Sequence, residues 1–139
     1  MDLYHLALGI AKRAHMEQLD KAGKEYINHP IFISKQFDTE TEKAVALLHD
    51  VVEDSDITFS DLLNKGIPKE VVEAVSLLTK EEGQSYQEYL ERVKANGLAT
   101  KVKLADLKHN SDLSRISNPS EKDIRRLEKY LKAIKFLNN

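Results

Sequence analysis

The sequence predicts an all-α domain. Three observations carry this: apolar residues recur at helical spacing along most of the chain, capping patterns precede several of those stretches, and strand-like alternation is nearly absent. The only strand candidates are the short runs Tyr26-Ile27 and Ile31-Phe32-Ile33.

The first helix is marked by Leu3, Leu6, Ala7, Ile10, Ala11 and Ala14. Gly23 breaks the helical pattern, and Lys21 to Pro30 reads as a loop. Thr39-x-x-Glu42 is a capping-box pattern that opens a helix through Ala44, Leu47, Leu48, Val51 and Val52. Thr58 to Lys65 forms a short helix stopped by Gly66. Pro68 suits the first position of the next, whose apolar face is Val71, Val72, Val75 and Leu78. Ser85 to Asn96 and Leu98 to Leu113 are two more helices, separated by Gly97. Asn118-Pro119 marks a turn, and Ser120-x-x-Asp123 caps a last amphipathic helix ending near Leu137. The expectation is one domain over residues 1–139 with about six to eight helices. No repeat, low-complexity tract or linker interrupts it.

Composition narrows the function classes. Hydrophobic residues make up 41% and charged residues 32%, a balance that suits a soluble globular domain. The net charge of −2 gives no electrostatic reason to bind a nucleic-acid polymer or an anionic membrane. No apolar run approaches the roughly 20 residues a membrane span needs. The start MDLYHLALGIAKRAH lacks the basic segment and long apolar core of a signal peptide, so a cytoplasmic location is expected. There is no cysteine, so any metal must be held by His, Asp, Glu or water.

His49-Asp50 stands out within the apolar run AVALLHDVVEDSD. Neutral imidazole and carboxylate are N/O ligands suited to first-row divalent ions. Glu53 and Asp54 come four residues after His49 and Asp50 respectively, so on a helix these pairs stack on neighbouring faces one turn on. Two other segments offer partners: Tyr26-Ile27-Asn28-His29-Pro30, and Lys103 to Asn110 with Asp106 in a helical run. Taken singly, each has an ordinary alternative. A His-Asp pair is often a structural hydrogen bond, a His before Pro a loop residue, and Asp106 a solvated or capping acid.

Together these segments resemble the HD superfamily of metal-dependent phosphohydrolases, whose signature has the order H…HD…D. The chain is more closely similar to the hydrolase domain of RelA/SpoT-type alarmone enzymes. AHMEQLDKAGKEYINHP resembles its first motif, LLHDVVEDSDIT its HD motif with the Glu-Asp pair, and VKLADLKHN its third, spanning residues 14–110 in order. A domain of this size resembles the stand-alone small alarmone hydrolases, which lack a synthetase half. The resemblance implies a compact helical HD-domain fold. It also implies one divalent metal, typically Mn²⁺, held by His29, His49, Asp50 and Asp106. It assigns Glu53 and Asp54 to catalysis, where they position or deprotonate the attacking water. The physics agrees: a bound divalent ion lowers the pKa of water from about 15.7 toward ~7–9, and a neighbouring carboxylate accepts the proton.

By the same resemblance Lys21, Lys103 and Asn110 contact a nucleotide substrate. The implied activity is 3′-pyrophosphohydrolysis of a (p)ppGpp-type alarmone. The alternatives are an HD-type phosphohydrolase acting on another nucleotide or phosphorylated metabolite, and a non-catalytic nucleotide-binding module. His15 and Gln18 match the family's AH-x-x-Q pattern as braces for the loop; Tyr86 and Tyr89 fit a core-facing helix side; His5 and His109 need no functional role. Two positions depart from the family. Asp20 stands where an Arg normally precedes the loop Lys, and Leu107 where an Arg follows the third-motif Asp. Both losses remove cations that suit a guanine nucleotide, so arginine at both positions is expected to raise activity on guanosine alarmones. The sequence leaves the oligomeric state open.

Overall fold

The computed structural model describes residues 2–139 and is all-helical, with no strand among them. Among these described residues nine α-helices occur in chain order: α1 Leu3–Ala14, α2 Asn28–Ser34, α3 Glu40–Leu48, α4 Val51–Asp54, α5 Phe59–Asn64, α6 Lys69–Leu78, α7 Tyr86–Lys94, α8 Gly97–Asn110 and α9 Glu121–Asn138. A single 3₁₀ turn, Leu113–Arg115, links α8 to α9. None of these helices is long and apolar enough to cross a membrane.

Helix starts are set by side-chain chemistry. Capping boxes form at Thr39/Glu42, Thr58/Asp61, Ser85/Glu88 and Ser120/Asp123. In each, the Ser or Thr oxygen accepts the N3 backbone N–H while the N3 acid accepts the cap's own N–H, so two end donors are satisfied together. Gly66 has φ +98° just past α5, a left-handed position that Gly fills without a Cβ penalty.

Helix α3 is the centre of the packing. Ala44 to Leu48 are all fully buried, so α3 is apolar nearly all round and meets α1, α2, α6 and α8. Burying each of Leu47, Leu48 and Val45 contributes roughly 1.5–3 kcal/mol. Helix α9 covers α8 and α7 from outside with Ala133 and Leu137.

Two local differences from the sequence reading shape the site. Residues 28–30 are not loop and Ile31-Phe32-Ile33 is not strand; both belong to α2. Pro30 is its third residue, within the first turn, where a missing N–H leaves no intrahelical bond unmade. His29, Pro30, Ile33 and Ser34 are buried at helical spacing, and that tertiary burial outweighs the β-branched run. The helix expected to run on past His49 is instead broken there. Asp50 sits at φ −110°, ψ 1°, between α3 and the single turn of α4. Adjacent residues on a continuous helix diverge; the break lets His49 and Asp50 meet, with His49 Nε2 3.1 Å from Asp50 Oδ2.

Candidate active site

Three elements converge on one buried cluster. The first turn of α2 supplies His29, the α3–α4 break supplies His49 and Asp50, and the middle of α8 supplies Asp106. His29, His49 and Asp50 each offer a ligand atom, and these atoms lie within 4.8 Å of one another. Asp106 Oδ1 closes the group, 2.7 Å from His29 Nε2 and 3.5 Å from His49 Nε2.

The chemistry of the donor set fits a divalent cation. The Nδ1–H of His49 donates to the Ala46 carbonyl at 2.6 Å, which turns Nε2 inward as the free ring nitrogen. That Nε2 is buried and hydrogen-bonded to nothing, although two carboxylates stand close. A buried unsatisfied ring nitrogen costs about 1–3 kcal/mol, and a lone pair facing carboxylates needs a cation between them. The same carboxylates draw protons. Burial lowers the pKa of His49, but Asp50 and Asp106 outweigh it and hold the ring well above 6.5. Burial raises Asp50, but the nearby His49 charge and the Tyr26 hydroxyl pull it down to about 2. Burial likewise opposes ionisation of Asp106, yet the Lys103 charge and the two histidines keep it well below 3.8.

A further set of side chains holds these four. The Tyr26 hydroxyl donates to Asp50 Oδ2. Helix α8 aligns Lys103, Asp106, His109 and Asn110 at spacings of three and four residues, so they share a stripe. Lys103 Nζ lies 3.0 Å from Asp106 Oδ2 and 5.3 Å from the Tyr89 ring centroid, and Asn110 Nδ2 donates to Asp106 Oδ1 at 3.1 Å. Burial disfavours the Lys103 charge, but Asp106 more than offsets this and raises its pKa. His109 Nδ1 meets His29 Nδ1 at 2.7 Å.

Glu53 and Asp54 sit on the exposed side of the cluster. Glu53 Oε1 accepts the Lys80 N–H at 2.6 Å, which ties it to the end of α6. Its pKa is raised, first by desolvation and then by Asp50 and Asp54, against the Lys80 bond. Asp54 Oδ2 accepts from Gln18 Nε2 at 3.2 Å, and Gln18 Oε1 in turn lies 2.9 Å from His15 Nδ1. The AH-x-x-Q pair therefore reaches the second acid as well as the loop.

Beside the cluster opens a cleft of about 340 Å³, whose walls include Gln18, Tyr26 and Asn110 and so abut Asp54, Asp50 and Asp106. Lys21 lines it, with its pKa lowered by burial and then by Arg126. Arg115, Arg126 and Tyr130 also line it, and sequence reasoning singles out none of them. Arg126 and Tyr130 arrive as α9 folds back over α8, and Arg115 from the 3₁₀ turn that joins the two, an approach no local spacing announces.

The two departures have different structural meanings. Asp20 accepts the N–H groups of Ala22 and Lys24 at 2.9 and 3.0 Å and pairs with Arg115 at 3.6 Å, so it shapes the loop and presents a cation to the cleft. Leu107 is fully buried in the core and is absent from the cleft wall. Arginine there would not reach substrate, contrary to the sequence expectation. Leu107→Arg is expected to lower stability by about 2–4 kcal/mol, the long side chain escaping part of the burial cost, read as a drop in melting temperature with no gain in guanosine-alarmone turnover. Tyr89 is core, as its spacing suggests, and its hydroxyl donates to the Leu78 carbonyl.

Known proteins share this fold. No family model matches the chain. A solved structure of a metazoan ortholog of SpoT that hydrolyses ppGpp superposes with a TM-score of 0.77, at 25% identity, over 99% of this chain and 85% of that one. Fold and cluster together define an HD-type domain. Among curated proteins, the bifunctional (p)ppGpp synthase/hydrolase SpoT of Escherichia coli K12 is 32% identical over 117 residues, 73% of this chain. A guanosine-3′,5′-bis(diphosphate) 3′-pyrophosphohydrolase of Vibrio cholerae is 43% identical over 58 residues, 38% of this chain and 8% of that protein. A probable GTP pyrophosphokinase of Mycobacterium leprae is 28% identical over 148 residues, 96% of this chain and 18% of that protein. The chain spans 16% of the length of SpoT. It is a homologue of the SpoT/RelA hydrolase domain.

Proposed function

We propose that the chain, as a single domain over residues 1–139, is a divalent-metal-dependent phosphohydrolase that removes the 3′-pyrophosphate of a (p)ppGpp-type nucleotide. The observation that carries this is the buried His49 Nε2, free of any hydrogen bond and turned toward Asp50, Asp106 and His29. Homology to SpoT supports the substrate class. His29, His49, Asp50 and Asp106 would hold the ion, with Mn²⁺ suited to two imidazoles and two carboxylates without sulfur.

When bound, the ion supplies Lewis acidity toward water and a phosphoryl oxygen. The chain's own residues do the rest. Glu53, anchored by the Lys80 N–H, takes a proton from the attacking water; its raised pKa makes it a stronger base than an unperturbed glutamate. Water oxygen bonds to the 3′-linked phosphorus, the bond from that phosphorus to the 3′ oxygen breaks, and pyrophosphate leaves. The 3′ oxygen departs with the proton that Glu53 took from the water, relayed with the help of Asp54, which Gln18 holds in place. Lys21, Arg115 and Arg126 in the cleft offset phosphate charge. Asn110 and Lys103 act chiefly by holding Asp106.

A second reading, another phosphorylated nucleotide as substrate, is favoured by Asp20, which puts a carboxylate where the family's Arg would stack on guanine. The test is pyrophosphate release from guanosine tetra- and pentaphosphate with Mn²⁺, beside NADPH and nucleoside mono- and triphosphates. Turnover should fall to background with chelator and in His49→Ala. Turnover of another nucleotide alone would transfer the reading to that substrate; no turnover and no Mn²⁺ binding would end it.

A further inference from the structure

We infer that His109 is a positioning residue for the metal centre: it fixes the tautomer of His29 and thereby aims His29 Nε2 at the cluster. This rests on the reading of the cluster as a metal site.

His29 and His109 face each other through their Nδ1 atoms at 2.7 Å, with ring planes only 6° apart. Parallel rings whose nearest atoms are that close cannot be stacked face to face, which needs about 3.5 Å. They lie near one plane, edge to edge, as a hydrogen bond requires. Two ring nitrogens at this distance must be one donor and one acceptor. The other nitrogen of His29 points at Asp106 Oδ1, on the side of the cluster. If His29 Nδ1 donates, Nε2 is left with its lone pair toward the metal position; if it accepted, Nε2 would carry the proton and could not ligate. The ligating state therefore requires His109 as acceptor.

His49 supplies the parallel within the same site. Its Nδ1–H goes to the Ala46 carbonyl, leaving Nε2 inward. One histidine is set by a backbone acceptor that no substitution removes, and the other by a side chain that substitution can. His109 is itself held in place: the Phe32 ring stacks on it at 4.1 Å and 17°, and Arg115 donates to its carbonyl at 3.0 Å. Partners of this kind typically carry 10–100-fold in metal affinity.

The experiment titrates Mn²⁺ into the full chain, following free Mn²⁺ by its paramagnetic resonance, with apo melting temperature as the control for folding. His109→Phe keeps a ring against Phe32 and removes the acceptor; it should weaken Mn²⁺ binding by about 10–100-fold. His109→Asn places an amide oxygen near the Nδ1 position and should bind close to the unsubstituted protein. Should His109→Phe not fold, His109→Gln, whose amide extends past that position, takes its place and should bind weakly. Equal binding in the Phe variant, or equal weakening in Phe and Asn, would overturn the role of His109. His49→Ala separates the two readings. If Mn²⁺ binds the unsubstituted protein, is lost in His49→Ala and is unchanged in His109→Phe, the metal centre stands and the positioning role falls. If Mn²⁺ does not bind the unsubstituted protein, both fall.

Discussion

Asp106→Ala is expected to destabilise the metal-free protein by about 3–5 kcal/mol and to abolish Mn²⁺ binding and turnover together. The Asp106 side chain is 7% exposed and meets Lys103, His29 and Asn110 at hydrogen-bonding distance. Removing it strands the Lys103 ammonium, whose side chain is only 15% exposed and lies against the Tyr89 ring. A buried ion pair broken on one side leaves the remaining charge uncompensated, and that penalty exceeds what the intact pair contributes. Against a typical stability of about 5–15 kcal/mol, the loss is large. The companion variant separates folding from chemistry. Asp106→Ala with Lys103→Met removes both charges, so melting temperature should recover much of its fall while Mn²⁺ binding stays lost. Denaturant unfolding and metal titration of the three proteins measure this. A single variant within ~0.5 kcal/mol of the parent, the usual span for surface changes, would show that Asp106 carries no such burden.

The range of each interaction decides what the sequence announces and what it hides. Local chemistry is legible. The Thr39/Glu42 and Ser120/Asp123 boxes are patterns three residues apart, and both form in the structure. The apolar faces of α1 and α6 are equally plain, because Ala7, Ile10, Val71 and Val75 bury at helical spacing. The break at His49-Asp50 is hidden, since Leu47, Leu48, Val51 and Val52 keep a helical rhythm across it. Helix α2 is hidden for the opposite reason: Pro30 and the β-branched Ile31 and Ile33 argue against a helix locally, and burial against α3 prevails.

The candidate site divides in the same way. Its metal-ligating residue types are visible through a resemblance of motifs. Their supports are not, because Tyr26 reaches Asp50 across 24 positions and His109 reaches His29 across 80. The resemblance sets Lys103 against a phosphate; the side chain is instead committed to Asp106, three residues along the same helix. Spacing permits that pair, but only the burial of α8 against α3 and α6 explains why the charge turns inward.

Glu53→Gln should lower kcat by about 10²–10⁴-fold while leaving Mn²⁺ affinity close to that of the parent. Glu53 is exposed and its Oε1 is engaged by the Lys80 N–H, whereas the proposed ligands His29, His49, Asp50 and Asp106 form the cluster without it, so its substitution leaves that set in place. Its carboxylate accepts the Lys80 N–H, and the amide oxygen of glutamine can accept the same bond, so the end of α6 stays anchored. What disappears is proton acceptance. The pKa of Glu53 is raised above 4.5, so in the parent the base is present above that raised value and is lost as pH falls through it. Glutamine offers no base at any pH, and the deficit should therefore persist up to neutral and mildly alkaline pH. A split between kcat and metal binding is the decisive readout. An unchanged kcat would take Glu53 out of the mechanism and leave Asp54, braced by Gln18, as the remaining carboxylate placed to accept the proton. A loss of Mn²⁺ binding equal to the loss of rate would make Glu53 part of the metal site, and water activation would then need another base.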